Sequence, residues 1–106
     1  MAGTTKFDAA EYLDTAERQA EYISAALETG DAGLVRDAVG IVAHARGMSE
    51  VARAAGLNRE SLYKALGEAG NPEFSTMLGV MRALGLDLSA RPAKKKPARR
   101  RTGKAA

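Results

Sequence analysis

Apolar residues recur along most of this chain at spacings of three and four, the period that lays them on one face of an α-helix. Ala16, Ala20, Ile23 and Leu27 form one such stripe, with Asp14 and Glu17 before it in the pattern of a capping box and Gly30 after it as a stop. A second stripe holds Leu34, Ala38, Val42 and Ala45, widened by Val35 and Ile41; Asp31 is placed to cap its start and Gly47 to end it. Two shorter helices follow: Ser49 is expected to cap one over Glu50–Ala55, closed by Gly56, and Asn58 another from Arg59 to Leu66 or Ala69. Gly70, Asn71 and Pro72 make a break, and Pro72 suits the first turn of a last helix with Phe74, Met77, Leu78, Met81 and Leu84 on one side and Gly85 as its stop. Near the N-terminus Asp8 and Glu11 repeat the capping-box pattern and predict a short first helix over Ala9–Leu13. Leu86 and Leu88 read as a short extended piece that covers the core or pairs with a second chain. No internal repeat is found.

The pattern predicts an all-α fold, a five-helix bundle, and the composition agrees. Aromatics are few (Phe7, Phe74, Tyr12, Tyr22, Tyr63, no Trp), so the core falls to Leu, Val, Ile, Met and many Ala at close helix–helix distances. From Arg91 onward the apolar period stops. Pro92, Pro97, Gly103, four alanines and eight cations offer no face to bury, so this segment is expected to be disordered on its own. The chain therefore divides into a flexible N-terminus over residues 1–7, a helical domain over 8–90 and a basic tail over 91–106.

Charge follows the same boundary. Residues 1–90 hold eight Lys/Arg against thirteen Asp/Glu, a net of −5, while residues 91–106 carry +8 with no acid; the overall +3 hides this opposition. The tail cations are Arg91, Lys94, Lys95, Lys96, Arg99, Arg100, Arg101 and Lys104. They resemble the arms of linker histones, which displace counterions from the phosphate backbone without reading sequence. A solubilising end is the plainer reading. Binding to a membrane surface is the poorer one, since no large apolar residue accompanies the charge.

Met48 to Leu66 carries the strongest motif. A helix-turn-helix needs a small residue where its helices nearly touch, a glycine four residues later for a left-handed turn, and an apolar residue six beyond to hold the second helix. Ala52, Gly56 and Leu62 have that spacing. Val51, Ala55, Leu57 and Leu66 fill the other inward positions, which leaves Arg59, Glu60, Tyr63 and Lys64 on the outward face of the second helix. There Arg or Lys donates to guanine, and an amide or acid meets adenine or cytosine. A helical hairpin that merely shares the spacing is the competing reading.

Catalysis has little to build on. The chain has no cysteine, no glycine-flanked serine elbow, no phosphate-binding glycine loop followed by lysine and no HExxH pair. Its one histidine, His44, lies one residue off an apolar stripe, as a partly exposed packing residue does. No enzyme activity, cofactor or metal site is expected. The absence of an 18-residue apolar run and of a signal-peptide core favours a cytoplasmic protein without a membrane partner.

The run ARGMSEVARAAGLNRESLYKALGEAGNPEFSTMLGVMRALGL, Ala45 to Leu86, resembles the addiction-module antidote proteins, HigA-like antitoxins with a helix-turn-helix of the Cro/repressor type. RGMSEVARAAGLNRESLYKAL followed by GNP, with YLDTAERQAEYISAALETGD upstream, carries the resemblance, which spans roughly residues 6 to 88. It implies a bacterial antitoxin that neutralises a small basic ribonuclease toxin of RelE/HigB-like fold. It also implies a repressor, bound as a dimer or with the toxin to the double-stranded DNA of its own operator, and hence nucleoid association. The family's groove-facing positions fall on Asn58, Arg59, Glu60, Ser61, Tyr63 and Lys64. The tail is longer than the family pattern.

Acidic residues crowd the first half, and Glu17 and Glu21 among them are the expected docking face for a basic toxin; a solvated helix face is the plainer reading. Phe7, Tyr12 and Leu13 are further candidate anchors, with core packing the equally good reading. One recognition helix contacts too few base pairs for high specificity, so a homodimer is expected. The alternative function is a protein-interaction or sequence-blind DNA-coating module driven by the tail.

Overall fold

The structure, a computed structural model, describes residues 12–93. Among them are five helices and no strand: α1 (Ala16–Thr29), α2 (Ala32–Arg46), α3 (Met48–Ala55), α4 (Arg59–Leu66) and α5 (Phe74–Ala83). The all-helical reading of the sequence therefore holds. The Asp8–Glu11 box lies outside the described residues, as does most of the short first helix expected over Ala9–Leu13.

Helix α2 is central: it packs against α1, α3 and α4, while α5 lies on α3. Its middle is buried nearly all round, through Ala38, Val39, Gly40, Val42 and Ala43. Leu13, Ile23, Val51, Leu62, Val80, Met81 and Leu84 close over it.

Several helix ends obey the local chemistry of the sequence. The Asp31 carboxylate accepts from the backbone N–H groups of Gly33 and Leu34 (2.9 and 3.2 Å), and the Asn58 side-chain oxygen from that of Ser61 (2.7 Å). Gly30 ends α1 in the left-handed region at φ 74°, which only glycine enters at no steric cost. After α5, Gly85 does likewise, and the Leu86 N–H reaches back to the Met81 carbonyl (2.9 Å), so that Leu86 folds against the core. Leu86 is thus the covering piece, without forming a strand; Leu88 is more than a third exposed.

Other expectations are corrected. Thr15, not Asp14, caps α1: Thr15 has the extended backbone and its hydroxyl accepts from the Arg18 N–H (3.1 Å), while Asp14 sits outside and pairs with the Arg18 side chain (3.2 Å). Helix α3 starts at Met48 from a Gly47 cap with no side-chain bond, because burying Met48 (5% exposed) draws the chain into the helix ahead of Ser49. Pro72 precedes α5 rather than opening it, with Glu73 at the cap.

The buried stripe of α1 is turned by one residue. Gln19, Tyr22, Ile23 and Ala26 face the bundle, whereas Ala16 and Leu27 are exposed. Gln19 is held inside because its amide donates to the Leu13 carbonyl (2.9 Å) and its oxygen accepts from Arg46 (3.0 Å). The same Arg46 nitrogen donates to the Leu84 carbonyl (2.9 Å), so one guanidinium joins α1, α2 and the end of α5. Leu34 also faces out, and Phe74 is 71% exposed because α5 meets α3 through its C-terminal half, where Val80 and Met81 are buried.

Candidate nucleic-acid interface

Helices α3 and α4 are joined by a tight turn at the spacing the motif predicts. Ala52 is 2% exposed, small enough for the two helices to approach. Gly56 turns the chain at φ 76°, its N–H held by the Ala52 and Arg53 carbonyls. The Leu57 N–H then bonds to the Ala52 carbonyl (2.8 Å), which satisfies the end of α3 and sets the direction of the next residues. Asn58 caps α4, and Leu62, fully buried, fixes that helix to the core. Leu66, one turn later, is buried too. Behind α4, Arg36 ties the following loop to α2 by donating to the Gly70 carbonyl (3.0 Å).

With Leu62 and Leu66 inward, Arg59, Glu60, Ser61, Tyr63 and Lys64 are exposed together on the other side of α4. That face carries two cations and one acid. Asn58 stands at its edge, where the cap engages one lone pair of its side-chain oxygen and the amide N–H groups can donate to a ligand. Arg59 Nη2 donates to Tyr63 Oη (3.2 Å), and its guanidinium carbon lies 5.3 Å from the ring centre, in cation–π range. Tyr63 also meets His44 of α2, ring centres 5.4 Å apart and planes at 69°, an edge-to-face contact. Sequence reasoning gave His44 a packing role only. Nothing local could reveal the contact, since the two residues belong to different helices.

The expected toxin face has no comparable construction. Glu17 and Glu21 are exposed on α1, and Glu28 further along pairs with Arg91 (3.1 Å). Arg91 is the only tail cation within the described residues; Lys94, Lys95, Lys96, Arg99, Arg100, Arg101 and Lys104 lie outside them, as does Phe7. Leu13, a candidate anchor, is in the core, and Tyr12 is part exposed. Among the described residues no helix is long and apolar enough to cross a membrane, and no cluster of three metal-ligating side chains occurs.

Comparison with known proteins gives two matches. A family described as probable addiction module antidote protein matches residues 3–92, leaving the cationic run beyond Ala93 outside it. An uncharacterized protein of Haemophilus influenzae is 46% identical over 80 residues, covering 76% of this chain and 82% of that one. No solved structure matches.

Proposed function

The chain belongs to the family of probable addiction module antidote proteins, and on that footing we propose that it is the antitoxin of a type II toxin–antitoxin module and represses its own operon by placing α4 in the DNA major groove. The observation that carries the DNA half is the exposed set Arg59, Glu60, Tyr63 and Lys64, presented by a helix whose opposite side is locked by Leu62 and by the Gly56 turn. Arg59 and Lys64 can donate to guanine and Glu60 can accept from cytosine, and Ser61 and the Asn58 amide add adaptable contacts. Two copies would set their recognition helices about 34 Å apart on a palindromic site. A DNA-bound repressor of this kind resides at the nucleoid.

Fluorescence anisotropy at fixed salt tests this, with the gene's own upstream DNA against a shuffled copy. The intact chain should prefer its own segment, and Lys64→Ala should cost about 1–3 kcal/mol there and much less on the shuffled DNA. Equal binding to both duplexes would reject operator recognition and favour the tail-driven, sequence-blind alternative.

The toxin half rests on family membership and on charge. A small basic ribonuclease of RelE/HigB-like fold would meet the acidic surface of α1, where Glu17 and Glu21 lie one turn apart and exposed. Reversal of both, Glu17→Lys with Glu21→Lys, should slow toxin capture about tenfold or more at low salt and leave dissociation less affected. Stopped-flow association with the toxin encoded beside the gene is the measurement, and an unchanged association rate would move the docking site elsewhere.

A further inference from the structure

Arg59 and Tyr63 are four residues apart on an exposed helix face, and such a pair is marginal when left to itself. Both side chains are long, and water competes for the phenol and the guanidinium alike. Here the pair has a third member from another element. His44 sits in the last turn of α2, whose preceding residues Ala38, Val39, Val42 and Ala43 are all buried, so its backbone is among the best anchored in the molecule. From that anchor its ring meets the Tyr63 ring edge-to-face at 5.4 Å, while Arg59 covers the ring at 5.3 Å and donates to its hydroxyl at 3.2 Å.

We propose that His44 is a positioning residue for DNA recognition: by pinning the Tyr63 ring it holds Arg59 in one preformed direction at the start of the recognition helix. The inference rests on the groove-reading assignment of α4. Its physical content is preorganisation. A guanidinium carries five N–H donors, and the hydrogen bond to the phenol spends one of them. The rest leave a bidentate donor pair for the acceptor edge of guanine. A side chain already held in place loses less freedom on binding than one that must be ordered by the DNA. Discrimination thus depends on a residue outside α3 and α4 that need not touch a base.

Two readouts test this. In the free protein, 15N relaxation at the Arg59 Nε–H should show a restrained side chain in the intact chain and in His44→Phe, which keeps a ring edge against Tyr63, and a mobile one in His44→Ala. Equal mobility in the intact chain and His44→Ala overturns the proposal, whatever happens on DNA. On DNA, His44→Ala should lower the ratio of operator to shuffled affinity by about threefold to tenfold, His44→Phe should restore it, and the melting temperature should hardly move because His44 is exposed. In an Arg59→Ala background the His44→Ala effect should vanish. If it persists there in full, or if His44→Phe fails as badly as His44→Ala, the imidazole acts by itself and positioning is rejected. An intact chain with no preference for its operator defeats the groove-reading assignment, and the relaxation measurement still decides whether His44 restrains Arg59.

Discussion

Removing residues 91–106 is expected to flatten the salt dependence of DNA binding while the shortened chain keeps its preference for the operator. The eight cations lost are those of a segment with no acid, and the 90 residues left carry net −5. On duplex DNA, log K falls with log salt by about 0.9 for each phosphate neutralised, so the slope should become shallower by up to about seven units if every tail cation engages. Six to ten such contacts are worth roughly 10³ to 10⁵ in affinity between about 50 and 200 mM salt, which makes this the largest effect expected for any single change. The Arg91–Glu28 pair offers little resistance to the tail moving onto DNA: its side chains are 72% and 63% exposed, and ion pairs so exposed contribute little. Anisotropy titrations of both chains across that salt range decide the matter. Parallel slopes would take the tail off the DNA, and lost operator preference in the short chain would mean that the tail organises recognition.

Leu62→Ala should cost about 2–5 kcal/mol of stability, the range for deleting a large aliphatic side chain from a well-packed interior. Leu62 is fully buried and joins α4 to a core that also holds Val39, Val42, Val51 and Val80. Small domains have only about 5–15 kcal/mol in total, so the variant should melt at a much lower temperature and unfold at lower denaturant. Leu27→Ala, at a leucine 43% exposed, should be several times milder. Operator affinity should fall with Leu62→Ala only as far as the folded fraction falls, which separates it from Lys64→Ala, where binding is lost and stability kept. A Leu62→Ala chain as stable as the parent would show that α4 is not anchored through this residue.

Much of the fold was legible because it depends on interactions within a turn or two of the chain. The Asp31 and Asn58 caps, the left-handed glycines at 30, 56 and 85, and the Ala52, Gly56 and Leu62 spacing all act over six residues or fewer. The exposed set on α4 then follows from helical geometry once Leu62 and Leu66 are inward. Where two local signals compete, packing decides between them. Asp14 and Thr15 can each cap a helix, and packing of Gln19 and Ile23 chose Thr15. Ser49 is a good cap by type, yet burial of Met48 outweighed one hydrogen bond.

By itself, then, the sequence determined the helical class, the turn between α3 and α4, the outward residues of α4 and the division of charge between body and tail. The tertiary structure decided which side of each amphipathic helix is covered. A stripe of period 3.6 specifies its face only to within about one residue, or 100° of rotation, and the neighbouring helix selects among those rotations. That selection buried Gln19 rather than Ala16, left Leu34 and Phe74 outside, and gave Arg46 its partners on two other elements. It also brought His44 to Tyr63 across nineteen positions of chain. Contacts of that separation arise from the summed packing of the core, and no local spacing encodes them.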